Sequence, residues 1–219
     1  MVQIVAGPVG PKALSRKLEI LGAASRAFGE RGYHETGMRD IASDLGMTVG
    51  NLYYYFENKQ ALLYFCQDET LNGLLELADW VSENARSEAD RLYLLIVGHV
   101  LCINEGVPGS LAHHEVEALD APWRGKIVRK RREYELALRT LVEEGMREGV
   151  FVQADANLAT LAILGAVNWT VKWFRSDSGL GVRAVGQGFA GHLVRGLLSP
   201  NVRFDLPPIH VPVFGRPST

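Results

Sequence analysis

The chain has 219 residues, 47% of them hydrophobic and 22% charged, which suits one large globular domain or two modest ones and excludes a collagenous, low-complexity or wholly disordered chain. With 23 Lys and Arg against 25 Asp and Glu the net charge is −2, so composition alone does not point to nucleic acid. Cys66 and Cys102 stand far apart with no CxxC or Cys/His cluster, which excludes a disulfide framework and a usual zinc module. The N-terminus MVQIVAGPVGPKALSRK lacks the basic-then-apolar order of a signal peptide, and the longest uncharged stretch, Ala156 to Val171, is too short and too polar to span a membrane. A cytoplasmic protein with no membrane partner is the expectation.

In chain order, residues 1–11 hold two Gly and two Pro without periodicity and read as a loose arm. From Ala13 to Arg31 the spacing of Leu14, Leu18, Leu21 and Phe28 predicts a helix, stopped by Gly32. Met38, Ile41, Ala42 and Leu45 predict a short second helix interrupted at Gly46. Thr48 caps a third to about Phe56, and Asn58 caps a fourth that runs from Lys59 towards Val81. Further helices are predicted over Ser87 to Asn104, Ser110 to Leu119, Trp123 to Glu148, Asp155 to Arg175 and Val182 to Leu198, with breaks at GVPG (106–109) and SDSG (176–179). No strand alternation or internal repeat is visible, and five prolines predict a tail from Ser199 that is extended and packed on the surface or else disordered. The fold class is all-α: a helix-turn-helix domain over 12–66, a helical bundle over 67–198 and a Pro-rich tail over 199–219.

The segment Arg39 to Tyr55 has the spacing of a helix-turn-helix. Ala42 lies where two helices cross closely, Gly46 lies where the turn favours positive φ, and Leu52 faces back to the core. The second helix of such a unit enters the major groove with its outward residues, here Thr48, Val49, Gly50, Asn51, Tyr53, Tyr54 and Tyr55. A purely architectural hairpin explains Ile41, Leu45 and Leu52 equally well, but not three consecutive tyrosines on one short helix.

The run GYHETGMRDIASDLGMTVGNLYYYFENKQALL (32–63) resembles the DNA-binding domain of the TetR family of bacterial transcription regulators, with the GY, T-x-M-R-D-I-A, L-G, G-x-L-Y-x-Y-F and N-K elements in order. The resemblance implies a homodimeric regulator, most simply a repressor released from double-stranded operator DNA by a small-molecule effector. Thr48, Gly50 and Asn51 would approach bases or backbone, Tyr53 and Tyr55 would hold phosphates, Tyr54 would reach a base edge or backbone, and Lys59 would meet phosphate. Arg39 is a phosphate ligand or a surface ion pair. Gly37 departs from the Ser or Thr usual in the family, which removes that contact. Residues 1–66 carry 7 basic and 6 acidic side chains, so binding would depend on a few placed contacts, doubled in a dimer.

For the effector, Trp169 and Trp173 lie four apart on the helix predicted over Asp155 to Arg175, either as a core or dimer seam or as an aromatic pocket wall with Asn168 as polar anchor. The segment 165–180 resembles the equivalent helix of TetR members that respond to acyl-coenzyme A thioesters, which implies an acyl-CoA effector; a small apolar or aromatic compound is the alternative. The run RGKIVRKRR (124–132) is a solvated face, or else Arg124, Arg129 or Arg132 bind the phosphates of such a ligand. His113 and Glu117 could share a helix face, but no second ligand pair accompanies them, so no metal is expected. No GxSxG, Walker loop or strand-linked GxGxxG is present, so neither catalytic residues nor a cofactor are assigned, and a helical binding protein or enzyme remains only as a different-class alternative. Leu193, Val194, Leu197 and Leu198 supply surplus apolar surface for a symmetry mate.

Overall fold

The computed structural model describes residues 11–106, 115–175 and 179–214. They form α1 (Pro11–Arg31), α2 (Met38–Asp44), α3 (Val49–Tyr55), α4 (Lys59–Asn84), α5 (Glu88–Leu101) with a π-helical extension at Cys102–Gly106, a 3₁₀ turn at Val116–Ala118, α6 (Ala121–Arg147), α7 (Ala156–Asn168), α8 (Thr170–Trp173) and α9 (Val182–Leu197). Among the described residues the sole β pairing is the isolated bridge between Phe151 and Leu198, so the chain is all-α. It divides into two compact units, whose described parts are 11–70 with 115–128, and 71–106 with 129–175 and 179–214.

In the first unit α1 buries Ile20, Leu21, Ala24, Ala27 and Phe28, while Leu14 near its start is 54% exposed. Gly32 (φ +83°) and Gly46 (φ +60°) take the left-handed backbone required to end α1 and to turn from α2 to α3. Residues 115–128 join this unit through Gln60, whose amide donates to Ala118 O at 2.8 Å and accepts from Asp120 N at 2.9 Å, and through Trp123 against Tyr64 at 4.3 Å between ring centroids. The predicted helix over Ser110 to Leu119 is seen as the single turn Val116–Ala118, its earlier residues, with His113, His114 and the 107–109 break, lying outside the described ones.

The second unit is built around α5, buried from Leu92 to Leu101. α9 packs on it at Gly186, where a Cβ would come within 3.2 Å of Val97 O. Residues 199–214 of the tail pack on this unit: Val211 is buried, Arg183 donates to Val211 O at 3.0 Å, and Phe204 and Phe214 lie against Tyr93 and Trp80. The helix predicted as continuous from Asp155 to Arg175 breaks at Trp169. Thr170 stays buried, turning its hydroxyl back to Val167 O at 2.7 Å and accepting from Asn104 Nδ2 at 2.8 Å, and these bonds anchor α8 as a separate turn. Val194 is fully buried within the unit and cannot serve a surface seam; the exposed apolar side chains of this unit include Leu158 and Leu161 of α7 with Trp169 and Trp173, and also Leu136, Leu180 and Leu206.

Candidate nucleic-acid interface

α3 is fixed from both ends and from beneath. The Thr48 hydroxyl accepts from Asn51 N at 3.2 Å, capping the first turn. Leu52 is fully buried, and Phe56, which ends the helix, is buried against Phe65. With Leu52 inward, the helical period turns Thr48, Gly50, Asn51, Tyr53 and Tyr54 outward, all exposed, with Tyr53 at 49% and Tyr54 at 63%. Tyr55 is half-buried and braces Tyr54 edge-on at 5.4 Å. An exposed tyrosine pair on a seven-residue helix is a surface without a folding role.

α2 begins without a side-chain cap at Gly37, and the Asp40 carboxylate compensates by accepting from Gly37 N at 2.7 Å. Arg39 is exposed and, among the described residues, makes no ion pair. The neighbouring pair is instead Arg31 with Asp44 at 3.0 Å.

Lys59 differs from its sequence reading. Its ammonium donates to the carbonyls of Tyr33 (2.8 Å), Thr36 (3.0 Å) and His34 (3.5 Å), and it lies 4.2 Å from the centroid of the Tyr33 ring. Three carbonyls use the three hydrogens of an ammonium, so Lys59 is a strut that closes the α1–α2 turn onto the start of α4. The Thr36 hydroxyl completes this turn by donating to Gly32 O and Ala27 O.

In the second unit, Asn168 faces inward while the neighbouring tryptophans face outward. Asn168 Oδ1 accepts from His99 Nε2 at 3.0 Å, and Nδ1 of the same ring accepts from the Tyr134 hydroxyl at 2.9 Å. With Oδ1 as acceptor the Nε2 carries a hydrogen, and burial, which disfavours the charged ring, leaves Nδ1 to accept from Tyr134 in a neutral imidazole. Burial pushes the His99 pKa down to about 4 and the Tyr134 hydroxyl well up. Trp169 is 61% exposed, and Trp173 stacks on Phe189 at 6.1 Å. Neither His99 nor Tyr134 was singled out from the sequence: one lies in an apolar run, the other follows a basic one, and only packing brings them together.

The basic run of α6 is dispersed. Arg124 pairs with Glu117 at 3.2 Å, Lys126 lies over Trp123 and Tyr64, and Lys130 donates to Asn72 at 2.6 Å. Burial pushes the Arg131 guanidinium down to about 10, while Arg129 and Arg132 are exposed. Both cysteines are free, buried thiols. Among the described residues no cluster of three metal-ligating side chains occurs, and no helix is long and apolar enough to cross a membrane.

An all-α chain that presents a capped, outward-facing second helix of a helix-turn-helix is a DNA-binding protein by architecture. Residues 20–64 match the family model for bacterial regulatory proteins of the TetR family, and residues 85–197 match the tetracyclin repressor-like C-terminal domain. The chain belongs to the TetR family and is a DNA-binding transcriptional repressor of that family. It is 27% identical over 208 residues to the HTH-type transcriptional repressor KstR2 of Mycobacterium tuberculosis, covering 90% of this chain and 98% of that protein. It is 25% identical over 183 residues to the fatty acid metabolism regulator protein of Bacillus subtilis, covering 82% and 94%. Among solved structures, AibR in complex with isovaleryl coenzyme A and operator DNA superposes with a TM-score of 0.71 at 25% identity, covering 84% of this chain and 98% of that one.

The buried imidazole makes stability depend on pH. The unfolded chain protonates His99 below about pH 6.5, whereas the folded chain resists until about pH 4, so protons favour unfolding in that window and stability rises with pH across it. Urea unfolding between pH 4 and 7 should show a loss on the order of 3 kcal/mol towards the acid end from this group. His99→Gln should flatten that slope; an unchanged slope would remove His99 as its cause.

Proposed function

We propose that α3 reads operator DNA through Thr48, Gly50, Asn51 and Tyr54, with Tyr53, Tyr55 and Arg39 on the phosphates. The observation that carries this reading is the outward row of polar side chains on a helix whose only fully buried residue is Leu52. Lys59 enters it as the strut that holds the turn before α2, not as a phosphate ligand. Tyr53→Phe and Tyr55→Phe should weaken binding to all sequences alike, and Asn51→Ala or Tyr54→Ala should change the preference among operator variants. Gel shifts on the DNA flanking its own gene check this, and full retention of affinity and preference by all four variants would rule out α3 as the reading helix.

The chain acts as a homodimer in this proposal, with residues 67–198 carrying effector binding and dimerisation. Leu158, Leu161 and Trp169 lie along one side of α7 at helical spacing, exposed, and an apolar stripe of this kind calls for a partner surface. Leu158→Glu or Leu161→Glu should give monomers in sedimentation that no longer bind operator. A wild-type chain sedimenting as a monomer at micromolar concentration would overturn the dimer.

The effector in this reading is an acyl-coenzyme A thioester. Support comes from AibR, whose structure holds isovaleryl coenzyme A, and from the exposed Arg129 and Arg132, which are free to meet phosphates. Effector and operator would be coupled reciprocally, each lowering affinity for the other. Titrating acyl-CoA esters of varied chain and ring into the protein–operator complex should release the DNA. Release by free apolar or aromatic compounds alone, with silence to every thioester, would replace this reading by a small apolar effector.

A further inference from the structure

The family model ends at residue 197, and the second unit holds the tail beyond it much as a protein holds a bound peptide. Its anchors are side chains. Phe204 lies against Tyr93 of α5 at 5.7 Å between ring centroids, and Phe214 lies against Trp80 of α4 at 5.9 Å. Between them in the chain Val211, 2% exposed, reaches the notch left by Gly98 of α5, where a Cβ would come within 3.0 Å of Val211 Cγ1 and closer still to Leu77 of α4. Arg183 of α9 adds a hydrogen bond to the Val211 carbonyl at 3.0 Å. Arg203, Asp205, Leu206, His210 and Pro212 are exposed between these anchors, and no helix or strand runs through 203–214. No hydrogen-bonded ladder therefore has to break for this segment to lift away.

The anchors reach α4, and α4 is one continuous helix from Lys59 to Asn84. Near its end, Trp80 meets the tail and Leu77 shares the Gly98 notch with Val211; at its first residue, Lys59 bonds the carbonyls of the turn before α2. A rigid element held at both ends carries a change at one end to the other. We propose that residues 203–214 are a strap that fixes the second half of α4 on α5 and α9, and that lifting the strap lowers operator affinity by loosening α4. The seated state seen here is the operator-competent one. Each anchor lost shifts the population towards the lifted state, and operator affinity falls with the fraction of chains that stay seated. The DNA contacts of α3 are untouched by this shift, so sequence preference and salt dependence stay as they were.

The full chain, a truncation after Leu206 and Phe214→Ala are compared on operator DNA that the wild-type protein selects from a random-sequence pool. At a temperature where circular dichroism shows the helices intact, truncation should weaken binding by roughly tenfold or more, with preference among operator variants and the log–log salt slope unchanged. Phe214→Ala removes one ring contact and should cost on the order of threefold, so it carries the test if the truncated chain does not fold. Without DNA, amide hydrogen exchange over residues 71–84 should quicken in both variants. Wild-type operator affinity in the folded variants would overturn the strap, leaving the tail as packing alone. Weakened binding with wild-type protection over 71–84 would overturn it too. So would weakened binding that comes with altered preference or a shallower salt slope, because the damage would then lie in the reading surface or the dimer.

Discussion

The second unit depends on the complete enclosure of α5. From Leu92 to Leu101 every side chain is buried, so this helix has no face to give to water and must be covered all round. Each cover is matched to a local feature. Gly186 lets α9 approach the α5 backbone, and Gly98 leaves room for Leu77 and for Val211 from the tail, where a Cβ would collide. The tail residues, lying beyond the part matched by the family model, thus complete the core and do not trail from it. Enclosure also dictates the fate of His99, which cannot reach solvent and is satisfied at both nitrogens by α6 and α7. That bond to Asn168 ties the end of α7 to α5 one residue before the helix breaks.

The first unit follows a different rule, in which a small core frees a surface. α3 has seven residues and too few hydrogen bonds to persist alone, so its orientation is set by Leu52 below, the Thr48 cap at its start and the left-handed turn at Gly46 before it. The Lys59 strut links three carbonyls of the α1–α2 turn to the first residue of α4, fixing the platform from which α2 and α3 project. Nothing in this construction uses the hydroxyls of Tyr53 or Tyr54. Their exposure is therefore free to serve recognition.

Local signals made residues 12–70 readable, the arm read over 1–11 lying outside the described residues up to Gly10. Gly32, Gly46, the Thr48 cap and the Asn58 cap each act within four positions along the chain, and each stands where its chemistry requires. Periodicity also located α5, α6 and α9 to within a few residues. It failed where a distant partner decides the outcome. The break at Trp169 depends on Asn104 reaching Thr170 from 66 positions away, and no pattern within α7 announces it. Lys59 shows the same dependence: a lysine at a helix start suits an anion, and only the fold shows the three carbonyls that it bonds. In the basic run of α6 an acid, two rings and an amide engage Arg124, Lys126 and Lys130, while Arg129 and Arg132 stay exposed, a division that charge density alone does not show.

A repressor responds to its effector through a coupling free energy of typically 1–3 kcal/mol, equivalent to roughly 5- to 150-fold in affinity. That is also the scale on which a pair of ring contacts is gained or lost, about 0.5–1.5 kcal/mol each. A whole-core rearrangement is therefore not needed to account for a switch; a tail seated or lifted is large enough. The two kinds of contact then have opposite consequences. The His99, Tyr134 and Asn168 set is satisfied, so it fixes one arrangement of α5, α6 and α7 and resists change. The tail is held by Phe204, Val211 and Phe214, which can leave their places without breaking that set. Responsiveness belongs where the fold is held by separable contacts, and rigidity belongs where a buried network is complete.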